Sequence, residues 1–148
     1  MPAGSTKIIL GLGNPGIGYR LTRHNVGFRV AEALADAHGI RVLERRAKSL
    51  VGQGLIAGRP VVLAKPQTYM NNSGRAAVAL VETFGVGIDD ILVVCDDFNL
   101  DLARLRIRMG GSAGGQKGLL SIVEALGTQE VPRLRMGIGP LRGDPVDF

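Results

Sequence analysis

Two short apolar runs, residues 7–12 (KIILGL) and 91–95 (ILVVC), constrain this chain more than any other feature. Each is too short for an ordinary helix and reads as a buried strand, which needs cover on both faces. Helical patterns supply that cover. Residues 25–38 place Val26, Val30, Ala33, Leu34 and Ala37 on one face, closed by Gly39. A second helix starts from an N-cap within residues 71–73, carries Ala77, Val78, Leu80, Val81 and Phe84, and ends at Gly85. A third follows the glycine-rich loop 110–115, carries Leu119, Leu120, Ile122, Val123 and Leu126, and ends at Gly127. Residues 52–57 and 60–64 form an expected hairpin over Gly58-Arg59. Residues 104–109 (RLRIRM) and 133–138 (RLRMGI) alternate as strands. Strands alternating with helices predict an α/β fold. With 148 residues, no repeat and no linker, a single domain over residues 1–148 is expected.

Composition narrows the class. Apolar residues are 45% and charged residues 21%, the balance of a folded protein and not of a disordered one. No run approaches the ~18 apolar residues of a membrane span. The N-terminus, MPAGSTK, lacks the apolar core of a signal peptide. No membrane association is expected, and the expected location is cytoplasmic. The one cysteine, Cys95, excludes an intramolecular disulfide and any multi-cysteine metal site. Glycine is the outlier, with 22 residues that no repeat explains, so glycines are expected to shape loops. The net charge is +5, and 14 of the 18 basic residues are arginine. The planar arginine fork matches phosphate oxygens, which favours a phosphate-bearing partner; a GC-rich genome gives the same bias.

Ligands of open α/β sheets bind at the carboxyl ends of strands. Asn14 follows the first strand, Lys65, Tyr69, Asn71 and Asn72 follow residues 60–64, and Asp96 follows ILVVC. If these strands run parallel, two amides and a carboxylate share one rim. His38 lies at a helix end, where an imidazole meets the helix dipole. His24, ten residues after Asn14, is the candidate general base, because imidazole titrates near pH 6.5. Asp96 is a plausible orienting group for it. The alternative makes His24 a helix-capping residue. Asp97 reads as a turn residue, and no metal-ligand spacing accompanies the acidic pair. The run Gly11-Leu12-Gly13-Asn14-Pro15-Gly16 matches the dinucleotide pattern G-x-G-x-x-G. However, no helix opens within it, and Pro15 removes a donor from the would-be phosphate cradle. Arg104, Arg106 and Arg108 fall on one face of their strand, as do Arg133 and Arg135 of theirs. With Lys117 they form an expected basic surface around the glycine loop, suited to a nucleic-acid backbone or simply a solvated face.

Four segments together resemble bacterial-type peptidyl-tRNA hydrolases: GLGNPGIGYRLTRHNVGF (11–28), KPQTYMNNSG (65–74), CDDFNLDLARLRIRMGGSAGGQKGL (95–119) and PRLRMGIG (132–139). The resemblance implies a single-domain α/β enzyme with a twisted mixed sheet flanked by helices, monomeric and without metal or organic cofactor. It implies hydrolysis of the ester between peptide and tRNA in peptidyl-tRNA, with the acceptor stem, 3′ end and nascent peptide as the contacted parts. By the family's motifs, His24 is the catalytic histidine and Asp96 its orienting aspartate. Asn14 and Asn71 are the asparagines of the site, and Tyr19 lies near the substrate's 3′ end. Arg108 and Arg135 clamp a terminal phosphate. Where many relatives read Gly-Gly-His-Asn-Gly, this chain has Gly114-Gly115-Gln116-Lys117-Gly118. Gln116 and Lys117 are expected to contact substrate in place of the histidine and asparagine, which leaves His24 as the one candidate imidazole. The further C-terminal helical segment of relatives is expected to be absent. Two other readings remain at this point: an RNA-binding homologue without hydrolysis, of the kind thought to act in splicing, and a dinucleotide enzyme.

Overall fold

The computed structural model describes residues 6–16 and 25–139. Its strands are β1 (Lys7–Gly11), β2 (Glu44–Arg46), β3 (Ser49–Ile56), β4 (Arg59–Pro66), β5 (Ile91–Asp97), β6 (Leu105–Arg108) and β7 (Arg133–Gly137). Its helices are α1 (Val26–His38), α2 (Ser73–Phe84) and α3 (Lys117–Leu126). The strands form one mixed sheet in the order β2-β3-β4-β1-β5-β7-β6. β1 is central and pairs in parallel with β4 and β5, and β5 pairs in parallel with β7. The edges are antiparallel: β2 with β3, β3 with β4, and β6 with β7. The α/β expectation holds, and the three strands whose ends were to share a rim are parallel. Among the described residues no helix is long and apolar enough to cross a membrane.

The central strands are buried on both faces, as their apolar runs require. Ile8, Leu10, Val62, Ala64, Ile91, Val93 and Cys95 pack under α2 and α3 with Ala77, Leu80, Leu119 and Ile122. On the opposite face Val61 and Leu63 pack with Ala35 of α1 and with Ile40 and Val42. α1 lies very close to β1: a Cβ on Gly27 would fall 2.3 Å from the Leu12 nitrogen, and one on Gly11 would fall 2.1 Å from the Gly27 oxygen. This close packing explains Gly11. A Cβ on Gly13 would run into Phe28 and Asn25, so that glycine too makes room for α1.

Some boundaries differ from expectation. The hairpin turns at Ala57-Gly58, both at positive φ (53° and 77°), one residue before the predicted turn. Two-residue hairpin loops of this twist need positive φ at both central positions. β2 has no counterpart in the sequence pattern. It carries three exposed charged residues and meets β3 through Ala47-Lys48, a turn without the glycine or asparagine that usually marks one.

The arginine strands require a correction. β6 and β7 do pair, and the register sets Arg106 opposite Arg135 and Arg108 opposite Arg133. However, the four do not make one solvated surface. Arg133 is 1% exposed and Arg135 8%, whereas all of β6 is exposed, including Leu105 at 60% and Ile107 at 61%. β6 is an edge strand, and α1 packs mainly on β1, β5 and β4.

Candidate active site

The parallel arrangement brings the ends of β1, β4 and β5 to one rim. The chain leaves β1 for α1 on one face and leaves β4 for α2 on the other, so a crevice opens between the diverging connections. A cavity of about 520 Å³ lies there, lined by Asn14, Met70, Asp96, Asp97, Phe98, Asn99, Gly114, Gly115, Gln116, Lys117 and Arg135. Five of the predicted site residues therefore share one cavity: Asn14, Asp96, Gln116, Lys117 and Arg135.

Asn14 is fixed on three sides. Its backbone N–H donates to Asn25 Oδ1 at 2.8 Å, and its backbone oxygen accepts from Asn25 Nδ2 at 2.9 Å. Its own Oδ1 accepts from the Met70 N–H at 2.6 Å. With the oxygen taken, the orientation of the amide is set, and its N–H groups remain to meet a ligand. Asn25 is thus a site-building residue that sequence reading misses. The sequence pattern assigns it to the helix start, but α1 begins one residue later with no side-chain cap from it. Tyr69 supplies the other half of the arrangement. Its backbone, at φ 61° and ψ 157°, lies in a region that non-glycine residues avoid, and it leads directly into Met70.

Asp96 is 4% exposed at the end of β5. Its Oδ1 accepts from Gln116 Nε2 at 3.0 Å. The Gln116 Oε1 in turn accepts from the Leu119 N–H at 2.7 Å, which caps α3. Both polar ends of Gln116 are engaged within the protein, and the residue also lines the cavity where the substrate contact is expected. Lys117 is exposed at the head of α3. Asp97 accepts from the Asn99 N–H at 2.8 Å, the turn role read from the sequence, and pairs with Arg135 at 3.8 Å.

Arg133 and Arg135 hold the glycine loop from below. Arg133 donates to the backbone oxygens of Val131, Ser112 and Gln129 at 2.7, 3.0 and 3.0 Å. Arg135 Nη2 donates to the oxygens of Ser112 and Ala113 at 3.1 and 3.0 Å. Burial pushes the Arg133 guanidinium below its ordinary pKa, and the neighbouring Arg135 charge adds to that. Burial likewise pushes the Cys95 thiol up to about 12, so it stays protonated and is no nucleophile. Ser73 is fully buried, with its hydroxyl donating to the Met70 oxygen, and is not placed as a nucleophile either.

Asn71 is exposed in the 3₁₀ turn Met70–Asn72 and is not among the residues lining the cavity. Arg108 is exposed on β6, donating to the Ile107 oxygen. His24 and Tyr19 lie outside the described residues. His38 is exposed in the last turn of α1, at the helix end where the sequence pattern sets it. Among the described residues the G-x-G-x-x-G run, 11–16, contains no helix, and its first two glycines pack against α1. The dinucleotide reading loses its structural basis.

The family profile described as peptidyl-tRNA hydrolase matches residues 8–148. The chain belongs to the peptidyl-tRNA hydrolase family. Among its relatives are the peptidyl-tRNA hydrolases of Desulforudis audaxviator and Moorella thermoacetica. The first is 54% identical over 90% of this chain and 68% of that protein. The second is 50% identical over 95% of this chain and 75% of that protein. A crystal structure of peptidyl-tRNA hydrolase from Acinetobacter baumannii superimposes with a TM-score of 0.86 at 38% identity, covering 94% of this chain and 71% of that one. Family membership gives the cavity its context: the rim gathers Asn14 and Asp96 from two of the segments on which the resemblance rests.

Proposed function

We propose that this chain hydrolyses the ester bond joining a peptide to the 3′ end of tRNA, releasing free tRNA and peptide. The observation that carries the reading is the shared cavity. Asn14 and Asp96, brought from two strands, face one space, and each is held by a bond to another part of the protein.

In the proposed step, His24 takes a proton from a water that attacks the ester carbonyl, and Asp96 orients the imidazole. Attack forms a carbon–oxygen bond and places negative charge on the carbonyl oxygen. Amide N–H groups stabilise that charge or hold the water, with Asn71 and Asn14 the candidates. Collapse breaks the bond to the ribose oxygen, which takes the proton back from the imidazolium. Tyr19 sits near the 3′ end, and Lys117 and Arg108 meet the acceptor-stem phosphates together with Arg135. The step uses neither metal nor organic cofactor and proceeds in a monomer. Turnover of peptidyl-tRNA by the purified chain tests the reading; tRNA binding without any cleavage would replace it with the RNA-binding alternative.

Arg108→Ala is expected to weaken tRNA binding at low salt. It should also flatten the slope of log affinity against log salt by about 0.7–0.9 for each phosphate that the variant no longer neutralises. Arg59, exposed at the far hairpin, is the control. A salt series on both variants and the parent checks this. Equal slopes in all three would assign Arg108 to a solvated edge.

A further inference from the structure

Gln116 stands at the N-cap of α3, a position where shorter Ser, Thr, Asp and Asn side chains are preferred. Those residues satisfy the first-turn N–H but cannot reach the neighbouring strand. Glutamine does both. Its Oε1 takes the Leu119 N–H at 2.7 Å, and its Nε2 extends to Asp96 Oδ1 at 3.0 Å, with Met70 Sδ at 3.4 Å. The amide is confined as well. A Cβ on Gly118 would come within 2.4 Å of Met70 Sδ, 2.8 Å of Leu12 and 3.2 Å of Gln116 Oε1, so the first turn of α3 is pressed onto Met70 and Leu12. A donor fixed in this way settles the rotamer of a buried carboxylate.

We infer that Gln116 is a positioning residue, whose amide ties the Asp96 carboxylate to the first turn of α3 and so fixes the group that orients the catalytic base. This inference rests on the histidine mechanism proposed above. It departs from a substrate-contact role, because both polar atoms of Gln116 are already used inside the protein. Among the described residues, the other ionisable groups around the carboxylate are Asp97 and Arg135, paired with each other, Lys117 at the cavity rim, and the protonated Cys95 thiol. Gln116 itself does not titrate.

Two substitutions separate positioning from capping. Gln116→Ser keeps an oxygen for the α3 cap but cannot reach Asp96. Gln116→Glu keeps the cap and sets a carboxylate against Asp96. Melting temperature, KM and kcat from pH 5 to 9 are measured for both, in the parent and in an Asp96→Asn background. Gln116→Ser is expected to leave melting and KM near parental and to lower kcat by about 10- to 100-fold. Gln116→Glu is expected to lower it further and to move the acid limb of the pH profile upward, since two close carboxylates share a proton. With Asp96→Asn, Gln116→Ser should cost less than about twofold more, because the charge it positions is gone. A parental kcat and pH profile in Gln116→Ser, or a raised KM with unchanged kcat, would overturn the inference. His24→Ala is assayed in parallel. Parental turnover there removes the histidine mechanism, while the coupling of Gln116 to Asp96 is still read from the double variant.

Discussion

His24→Ala is expected to lower turnover of peptidyl-tRNA by about 10²–10⁴-fold, the usual contribution of a positioned general base, while tRNA affinity stays near parental. The expectation rests on the neighbour of His24 in sequence and on where that neighbour lies. His24 immediately precedes Asn25, whose side chain is bonded to both backbone groups of Asn14. That pair joins the start of α1 to the cavity rim, and Asp96 lies across the same cavity. The second histidine, His38, is exposed at the far end of α1, and His38→Ala should leave turnover unchanged. Single-turnover kinetics with tRNA binding measured alongside checks the expectation. Turnover of His24→Ala within twofold of the parent would remove His24 as the base. Loss of tRNA affinity with parental turnover would make it a binding residue instead.

Much of the architecture is legible in the sequence because local chemistry and burial agree. The apolar runs of β1 and β5 could only be central strands, and Gly39, Gly85 and Gly127 close their helices in the left-handed conformation. The turns are less legible. Ala57, Ala47 and Lys48 adopt positive φ that their side chains disfavour, and only the pairing of the flanking strands enforces it. In the site, Asn14 and Asp96 are readable from their places after strands. The roles of Asn25 and Gln116 are not. Each uses its side chain to hold another residue across the fold, over sequence separations of 11 and 20, and no local pattern encodes such a partner. The alternation of the arginine strands shows which side chains share a face but not how deeply they are buried. An alternating strand at the sheet edge and one beside the core give the same pattern.

Arg133 is where that difference has its largest consequence, and Arg133→Ala is expected to destabilise the fold by about 3–5 kcal/mol. The side chain is almost wholly buried, and its guanidinium donates to three backbone oxygens, those of Val131, Ser112 and Gln129. Truncation would leave a cavity and strip three carbonyls of a charged donor. The Gln129 oxygen keeps the Gly111 N–H and the Ser112 oxygen keeps Arg135, so the loss comes mainly from the cavity and from the Val131 oxygen, at about 1–3 kcal/mol for a carbonyl left without a partner. Arg133→Lys should recover less than half of the loss. A single ammonium cannot span three carbonyls fixed by a planar fork, and a buried lysine gives up its proton more readily. Arg133→Met refills volume without donors, so comparing it with Ala separates packing from hydrogen bonding. Because Ser112 begins the run that leads to Gln116 and Lys117, the loss should reach the site before global unfolding, with kcat falling at temperatures where the fold is intact. Urea denaturation of the three variants, read beside their kcat, checks this. A loss below about 1 kcal/mol in Arg133→Ala, with parental kcat, would mean that Arg135, which also donates to Ser112, holds the glycine loop unaided.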